Sequence, residues 1–179
     1  NGSLVQTTGS TLAGSGTYHV QRVGGSGQRF NFWGSPITAH PNVPGSPSYS
    51  FNPNTATQDD SDDANDPGWS AYSGTMTPGA GYAAMGGGSV TFSGTVNNGN
   101  VNRTLIYHPF DNTYSNSGPG TPFNLVGNPY PSAINAAQLV IDNPDIDGTI
   151  FFWDDDLSGG TDYDRSDFAY WNHTGGLSG

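Results

Sequence analysis

All acidic side chains of this protein are aspartates, and most of them lie in two short clusters. The chain has fifteen acidic residues and contains neither Glu nor Lys. One cluster lies within residues 59–66 and the other within residues 154–167. A Ca²⁺ ion takes about six to eight oxygen ligands from carboxylates, carbonyls and water. Both clusters are therefore candidate Ca²⁺ sites, and Ca²⁺ is the cofactor that the sequence predicts.

The second cluster has the better arrangement for an ion. Its carboxylates stand on both sides of Gly159-Gly160, where the chain can bend tightly. Its spacing is not that of an EF-hand loop, which ends in Glu. The alternative is a solvated turn, but the carboxylates would repel one another with only Arg165 nearby to offset them. The candidate ligands are Asp154, Asp156, Asp162, Asp164 and Asp167 in the second cluster and Asp60, Asp62 and Asp66 in the first.

Aromatic side chains near the clusters offer a second kind of chemistry. Trp69, Trp171 and Tyr163 could stack on sugar rings, because aromatic residues combined with a few polar groups bind carbohydrate in this way. The alternative is that both Trp residues pack in the core or at its rim, where large aromatic side chains dominate the energetics. The sequence favours packing and leaves carbohydrate binding as an alternative.

Several function classes are disfavoured by what the chain contains. It has no Cys nucleophile and no Gly-x-Ser-x-Gly motif, and its four His residues are scattered. The Asp clusters are hydrophilic, so a catalytic carboxyl with a raised pKa is not expected there. The sequence therefore predicts that the protein is not an enzyme. The net charge of −11 disfavours nucleic acid and anionic lipid as partners, and no apolar run is long enough for membrane insertion.

The composition predicts an all-β fold that would hold the clusters in loops. Twenty-seven Gly, thirteen Pro and many aromatic residues are typical of short strands joined by turns. We expect an antiparallel β-sandwich of the jelly-roll kind. The predicted strands are residues 17–23, 29–33, 48–51, 81–85, 89–95, 102–107, 123–126, 149–153 and 168–172.

Two local signals refine this expectation. The Asn-Gly pair at 98–99 predicts a hairpin in which residues 89–95 pair with residues 101–107. One helical turn is expected over residues 132–139, with Ser132 as its N-cap.

The chain also repeats itself. Residues 30–36 match residues 123–129, and each segment ends in a Gly-x-Pro turn for which we predict a structural role. Further on, Asp60 and Asp62 of the first repeat align with Asp162 and Asp164 of the second. Trp69 aligns with Trp171 in the same way. We therefore predict an internal duplication.

This duplication suggests an incomplete second repeat. We expect a single sandwich domain over residues 1–179, with pseudo-repeats at about 17–107 and 108–179. The second pseudo-repeat ends before it reaches the closing strands of the first, which predicts an open sheet edge at 168–179. Either the sequence is an excerpt of a larger protein, or another chain or segment supplies the missing strand.

Several motifs resemble a module of large secreted and surface proteins of Bacteroidetes, the substrates of the type IX secretion system. The most specific is Gly127-Asn128-Pro129-Tyr130-Pro131-Ser132. The other motifs that carry the resemblance are residues 18–22, 32–37, 77–82, 91–99, 125–126 and 153–156. The resemblance implies a β-sandwich-like module of an exported multidomain protein, located outside the cell or on its surface.

Three functions are open at this point. The first is a non-catalytic extracellular structural or adhesion module that Ca²⁺ stabilises, with other domains or chains of a surface protein as partners. The second is a carbohydrate-binding module attached to a secreted enzyme, with polysaccharide as its partner. The third is a subunit of an extracellular filament whose open edge accepts a strand from a neighbour. The first is the function that the sequence favours.

Overall fold

The computed structural model describes residue 11 and residues 16–56, 68–107, 123–155 and 167–177. The chain divides into two units, Asn1–Ser132 and Ala133–Gly179. The strands of the first unit are β1 (Tyr18–Val23), β2 (Phe30–Trp33), β3 (Ser48–Phe51), β4 (Trp69–Ala71), β5 (Tyr82–Met85) and β6 (Ser89–Gly94). The second unit contains α1 (Ala136–Asp142), β7 (Ile150–Trp153), β8 (Phe168–Asn172) and β9 (Gly175–Leu177).

Two antiparallel sheets of the first unit share one hydrophobic core. β1 pairs with β6, and the four-stranded sheet has the order β2-β5-β3-β4. Residues of β1 alternate between half-buried and exposed, as expected for a strand with one solvated face. The core takes side chains from both sheets and from the connections: Trp33, Ile37, Val43, Met76, Ala80, Tyr82, Ala84, Phe92 and Val96. The predicted all-β antiparallel sandwich is confirmed.

Phe92 of β6 is at the centre of this core. Its side chain is fully buried, and its ring centroid lies 6.3 Å from that of Trp33 on β2. On another side the ring of His40 lies 4.6 Å away. Full burial of a Phe side chain contributes about 2–3 kcal/mol relative to leaving it exposed. The two sheets are therefore joined chiefly through this aromatic contact and its aliphatic neighbours.

The opposite face of the four-stranded sheet carries five half-buried aromatic side chains. Residues that pair across neighbouring strands share a face, so the observed register places all five on one side of the sheet. The rings form three contacts, with centroids between 4.9 and 6.2 Å apart. The five are Phe30, Phe32, Tyr49, Phe51 and Trp69.

The predicted hairpin around the Asn-Gly pair is wrong. Residues 101–107 carry no strand, and β6 pairs with β1 instead. The physical reason lies in Asn97, whose buried side-chain amide donates hydrogen bonds to Ser35 O and Pro129 O. These two hydrogen bonds fix the backbone at Asn97, and the chain forms no two-residue turn at 98–99.

Another predicted strand is reduced to a single bridge. Residues 123–126 form one isolated β-bridge, between Val126 and Ala80. Conversely, the short strands β4 and β9 have no counterpart among the predicted strands.

The second unit holds a three-stranded antiparallel sheet with β8 between β7 and β9. The sequence predicts an open edge at 168–179, and this is wrong for residues 170–172, because β9 pairs with them along one side of β8 and β7 pairs along the other. The extra strand is easily overlooked because its first two residues are glycines.

The single described helix begins later than expected. The N-cap of α1 is Asn135, whose Oδ1 accepts the backbone N–H of Gln138 at 3.1 Å, so the expectation of Ser132 as N-cap is wrong. The helix ends at Asp142, before Pro144. In the described part of the chain no helix is long and apolar enough to cross a membrane.

Candidate functional site

Each acidic cluster belongs to the connection between two paired antiparallel strands. The first cluster lies between β3 and β4, and the second lies between β7 and β8. Most of the candidate ligands fall outside the described residues, namely Asp60, Asp62 and Asp66 in the first connection and Asp156, Asp162 and Asp164 in the second. Tyr163 also lies outside them. What the structure shows of the site is therefore the base of each connection.

The two connections begin and end in the same way. After β3, the N–H of Asn52 donates to Gly68 O at 2.8 Å, which adds one rung to the ladder beyond the last strand pair. After β7, the N–H of Asp154 donates to Asp167 O at 2.7 Å in the equivalent position. Each connection is thus closed at its base by a backbone hydrogen bond, and the two hairpins have the same local geometry.

An aromatic pair lies beneath each of these hydrogen bonds. In the first hairpin Phe51 is paired with Trp69, and their ring centroids are 4.9 Å apart. In the second hairpin Trp153 is paired with Phe168, and their ring centroids are 5.1 Å apart. Aromatic cross-strand pairs stabilise an antiparallel pair by about 0.2–1 kcal/mol. The rings therefore help to hold the two ends of each acidic connection together.

This geometry changes the correspondence between the two acidic segments. The structure equates Trp69 with Phe168, whereas the sequence alignment equates Trp69 with Trp171. The difference arises because the second connection is three residues shorter than the first. The predicted internal duplication as a whole stays a prediction.

The base of the second hairpin carries three described carboxylates that differ in burial. Asp154 is exposed and Asp155 is half-buried, whereas only 1 % of Asp167 is exposed. The backbone bond places Asp154 directly opposite Asp167. A buried carboxylate is tolerated where hydrogen bonds, an opposite charge or a metal ion compensate its lost hydration. This donor set has the hard oxygen chemistry that Ca²⁺ requires.

These carboxylates do not form a complete metal site on their own. Among the residues that the structure describes, no three His or Asp side chains are grouped closely enough to hold a metal ion. A Ca²⁺ ion bound at this hairpin would therefore need ligands from the connection between Asp155 and Asp167.

The two candidate sugar-binding Trp residues have different surroundings. Trp69 contacts Phe32 at 5.9 Å and Phe51 at 4.9 Å, with ring planes inclined by 53° and 57°. Trp171 lies opposite Ile150 of β7 and contacts His173 at 5.5 Å. Inclined rings are the usual geometry of packed aromatic pairs. Trp69 therefore has the environment of a packing residue, as the sequence favours.

The one described Ser–His contact is a cross-strand pair. His19 Nδ1 lies 2.8 Å from Ser93 Oγ on the solvated side of the β1–β6 pair, and the two residues are directly opposite in register. Hydrogen-bonded polar pairs at such positions stabilise sheets. The contact therefore has a structural explanation.

Sequence reasoning missed how the two Gly-x-Pro turns are joined. The turns at 34–36 and 127–129 touch through their glycines, since a Cβ on Gly127 would lie 2.6 Å from Gly34 Cα. Asn97 bridges the same two turns. The sequence signal for this contact is the Phe-Asn dipeptide that precedes each turn, at 30–31 and at 123–124.

The asparagines of those dipeptides make the same kind of contact in the two matched segments. Asn31 bonds both the N–H and the C=O of Gly25 through its side-chain amide. Asn124 does the same with Ile106, at 2.9 and 2.8 Å. Each side chain thereby satisfies the two polar backbone groups of one residue, as a neighbouring strand would.

No curated protein and no solved structure matches this chain significantly. A family model covers almost all of it, from residue 1 to residue 177. The chain belongs to this family, which is described as a domain of unknown function (DUF8693).

Proposed function

We propose that this protein is a non-catalytic extracellular module that binds Ca²⁺ through its two acidic hairpin connections. The observation that carries the proposal is the shared construction of the two hairpins. Each has a backbone bond at its base, an aromatic pair beneath it and a cluster of Asp in the connection. A repeated construction that returns carboxylates to the same place is better suited to a repeated binding role than to one unique catalytic centre.

The charge of the protein supports an ion rather than a solvated turn. The net charge is −11, and Arg165 is the only cationic residue within either acidic segment. A backbone hydrogen bond holds the two ends of each connection together, so repulsion among its carboxylates opposes ordering of the connection. A divalent cation would neutralise that repulsion and would order the connection at the same time.

The expected affinity is that of an extracellular site. Extracellular Ca²⁺ modules have dissociation constants of about 10⁻⁴–10⁻³ M, weaker than those of cytosolic sensors. A ligand that binds only the folded state at one hundred times its dissociation constant stabilises that state by about 2.7 kcal/mol. The resemblance to exported surface modules supports the same location. Its partners would then be neighbouring domains or chains of a surface protein.

A structural role agrees with the aromatic residues that the structure describes. The rings around Trp69 are inclined to one another, whereas a platform for a sugar ring presents an exposed, open ring face. These contacts support rigidity of the sheet from which the first connection leaves. The proposed mechanism is accordingly the rigid spacing of surface domains, with Ca²⁺ fixing the acidic connections.

Thermal unfolding with and without Ca²⁺ tests this proposal. We expect the melting temperature of the protein to rise by several degrees between excess chelator and 5-10 millimolar Ca²⁺, about the shift that 1–3 kcal/mol produces. Replacing Asp154, Asp162 and Asp164 together by Asn should remove the part of the rise that Ca²⁺ binding at the second connection contributes. Asp145→Asn is the matched control, because Asp145 is exposed and lies outside both clusters. Equal melting temperatures in Ca²⁺ and chelator would exclude the ion.

A further inference from the structure

Residues 123–132 follow the surface of the first unit as a narrow segment, which we call the strap. The strap corresponds in sequence to β2 and its turn, yet it forms one isolated bridge instead of a strand. Its backbone is bonded to the segment 79–81: Gly81 N donates to Leu125 O at 3.2 Å, and Gly127 N donates to Gly79 O at 3.1 Å. The strap is therefore bonded through its backbone to residues 79–81, and the side-chain amide of Asn124 bonds the backbone of Ile106.

The strap contributes no side chain to the hydrophobic core. None of its residues belongs to the described core cluster, and Val126 and Phe123 are about half exposed, at 50 % and 53 %. Pro129 is its one buried residue. Detachment of the strap would therefore break hydrogen bonds and the contact at Gly127 without opening a cavity among the core residues.

The end of the strap is held by side chains from distant parts of the unit. Nη2 of Arg22 donates to Tyr130 O at 3.1 Å and to Pro131 O at 2.9 Å. Asn97 donates to Pro129 O at 2.8 Å, and Tyr130 Oη donates to Gly99 O at 2.6 Å. Burial lowers the pKa of the Arg22 guanidinium, which nevertheless remains charged at neutral pH. Hydrogen bonds from a charged group are about twice as strong as neutral ones.

We infer that the strap detaches from the first unit while the rest of that unit stays folded, and that the hydrogen bonds from Arg22 hold the strap in place. The core and both sheets are expected to remain intact when the strap opens, because none of the residues of the described core cluster lies in the strap. Opening would uncover the carbonyls that Arg22 and Asn97 now bind and the backbone of Gly79 and Gly81. The inference is independent of Ca²⁺ and would hold if the acidic connections bound no ion.

Hydrogen exchange of the full chain, followed by mass spectrometry across a urea series, tests the inference. We expect peptides covering the strap and the amides it protects to exchange faster than β5 and β6, and with a weaker dependence on urea. Arg22→Gln should raise exchange in the strap by about ten- to a hundred-fold, the effect of losing hydrogen bonds from a charged group, and should leave β5 and β6 unchanged.

Arg29→Gln is the matched control, because the Arg29 side chain makes no described hydrogen bond or ion pair and lies elsewhere in the unit. It should leave exchange in the strap as it is in the wild type. The inference is overturned if wild-type strap and core amides exchange at one rate with one urea dependence. It is equally overturned if Arg22→Gln accelerates both regions alike, because Arg22 would then support the whole unit.

Discussion

The contact between the two Gly-x-Pro turns has no room for a methyl group. A Cβ at position 34 would lie 2.7 Å from Gly127 Cα and 2.8 Å from Asn128 N. Both neighbours are backbone atoms, so no side-chain rotation can relieve the overlap. Overpacking of this kind costs about 1–3 kcal/mol. Because the obstacle is backbone, we expect Gly34→Ala to lower the free energy of unfolding by about 2–3 kcal/mol, at the upper end of that range.

The reciprocal substitution should behave in the same way. A Cβ on Gly127 would lie 2.6 Å from both Gly34 Cα and Ala80 O. In the double variant the second methyl enters a gap that the first has already widened. The double variant should therefore lose less free energy of unfolding than the two single variants together, with a coupling energy of about 1 kcal/mol.

Urea denaturation followed by circular dichroism measures these changes, provided that the urea dependence is the same in every variant. Gly16→Ala is the control, because a Cβ there would meet nothing within 4 Å. It should change the free energy of unfolding by less than about 0.5 kcal/mol. If Gly34→Ala were no more destabilising than Gly16→Ala, the close approach of the two turns would be refuted.

Three further outcomes follow from the described contacts. Asn97→Ala should cost about 2–3 kcal/mol in urea denaturation, because it removes the donor to two carbonyls, whereas Asn100→Ala at an exposed site should be near neutral. Phe92→Ala should cost about 3–5 kcal/mol in the same assay, well above the cost of Phe152→Ala on β7, whose side chain is 47 % exposed. Burial and the hydrogen-bonded neighbour Tyr82 raise the pKa of Tyr72. The stabilisation linked to the protonated Tyr72 hydroxyl is therefore present below roughly pH 10 and is lost as the pH rises through the folded-state pKa of Tyr72. Tyr72→Phe should accordingly reduce the alkaline loss of stability in a pH series of unfolding curves.

The strands with strong aromatic patterns could be read from the sequence. β3 and β8 have the predicted bounds, and β2, β5, β6 and β7 differ by a residue at one end. In these strands the side chains that define the pattern are also those that pack, so local pattern and tertiary contact agree. β4 and β9 are only three residues long and gain their structure from pairing with β3 and β8. Such pairing has no local signature.

The Asn-Gly turn shows how tertiary contacts override a local signal. Gly99 has a positive φ of 74°, as a turn residue would. The preceding Asn97, however, uses its amide to join the two Gly-x-Pro turns, which lie far away in sequence. Local turn propensity cannot reveal that demand, because the partner carbonyls become neighbours only in the folded chain.

The site could be predicted in part. The order of aromatic strand, acidic segment and Trp is visible in the sequence, and the structure places each acidic segment between two paired strands. The equivalence of Trp69 with Phe168 could not be foreseen, because it depends on strand register. Nor could the burial of Asp167 be foreseen, since most aspartates are exposed.

Calorimetric titration of the metal-free protein with Ca²⁺ measures the proposed binding itself. We expect saturable binding at millimolar concentration or below, with up to two sites per chain, and loss of the second-hairpin site when Asp154, Asp162 and Asp164 are replaced by Asn. Asp145→Asn should leave the titration unchanged. Absence of saturable heat up to about 10 mM Ca²⁺, a concentration well above the dissociation constants of extracellular modules, would show that the acidic connections bind no Ca²⁺.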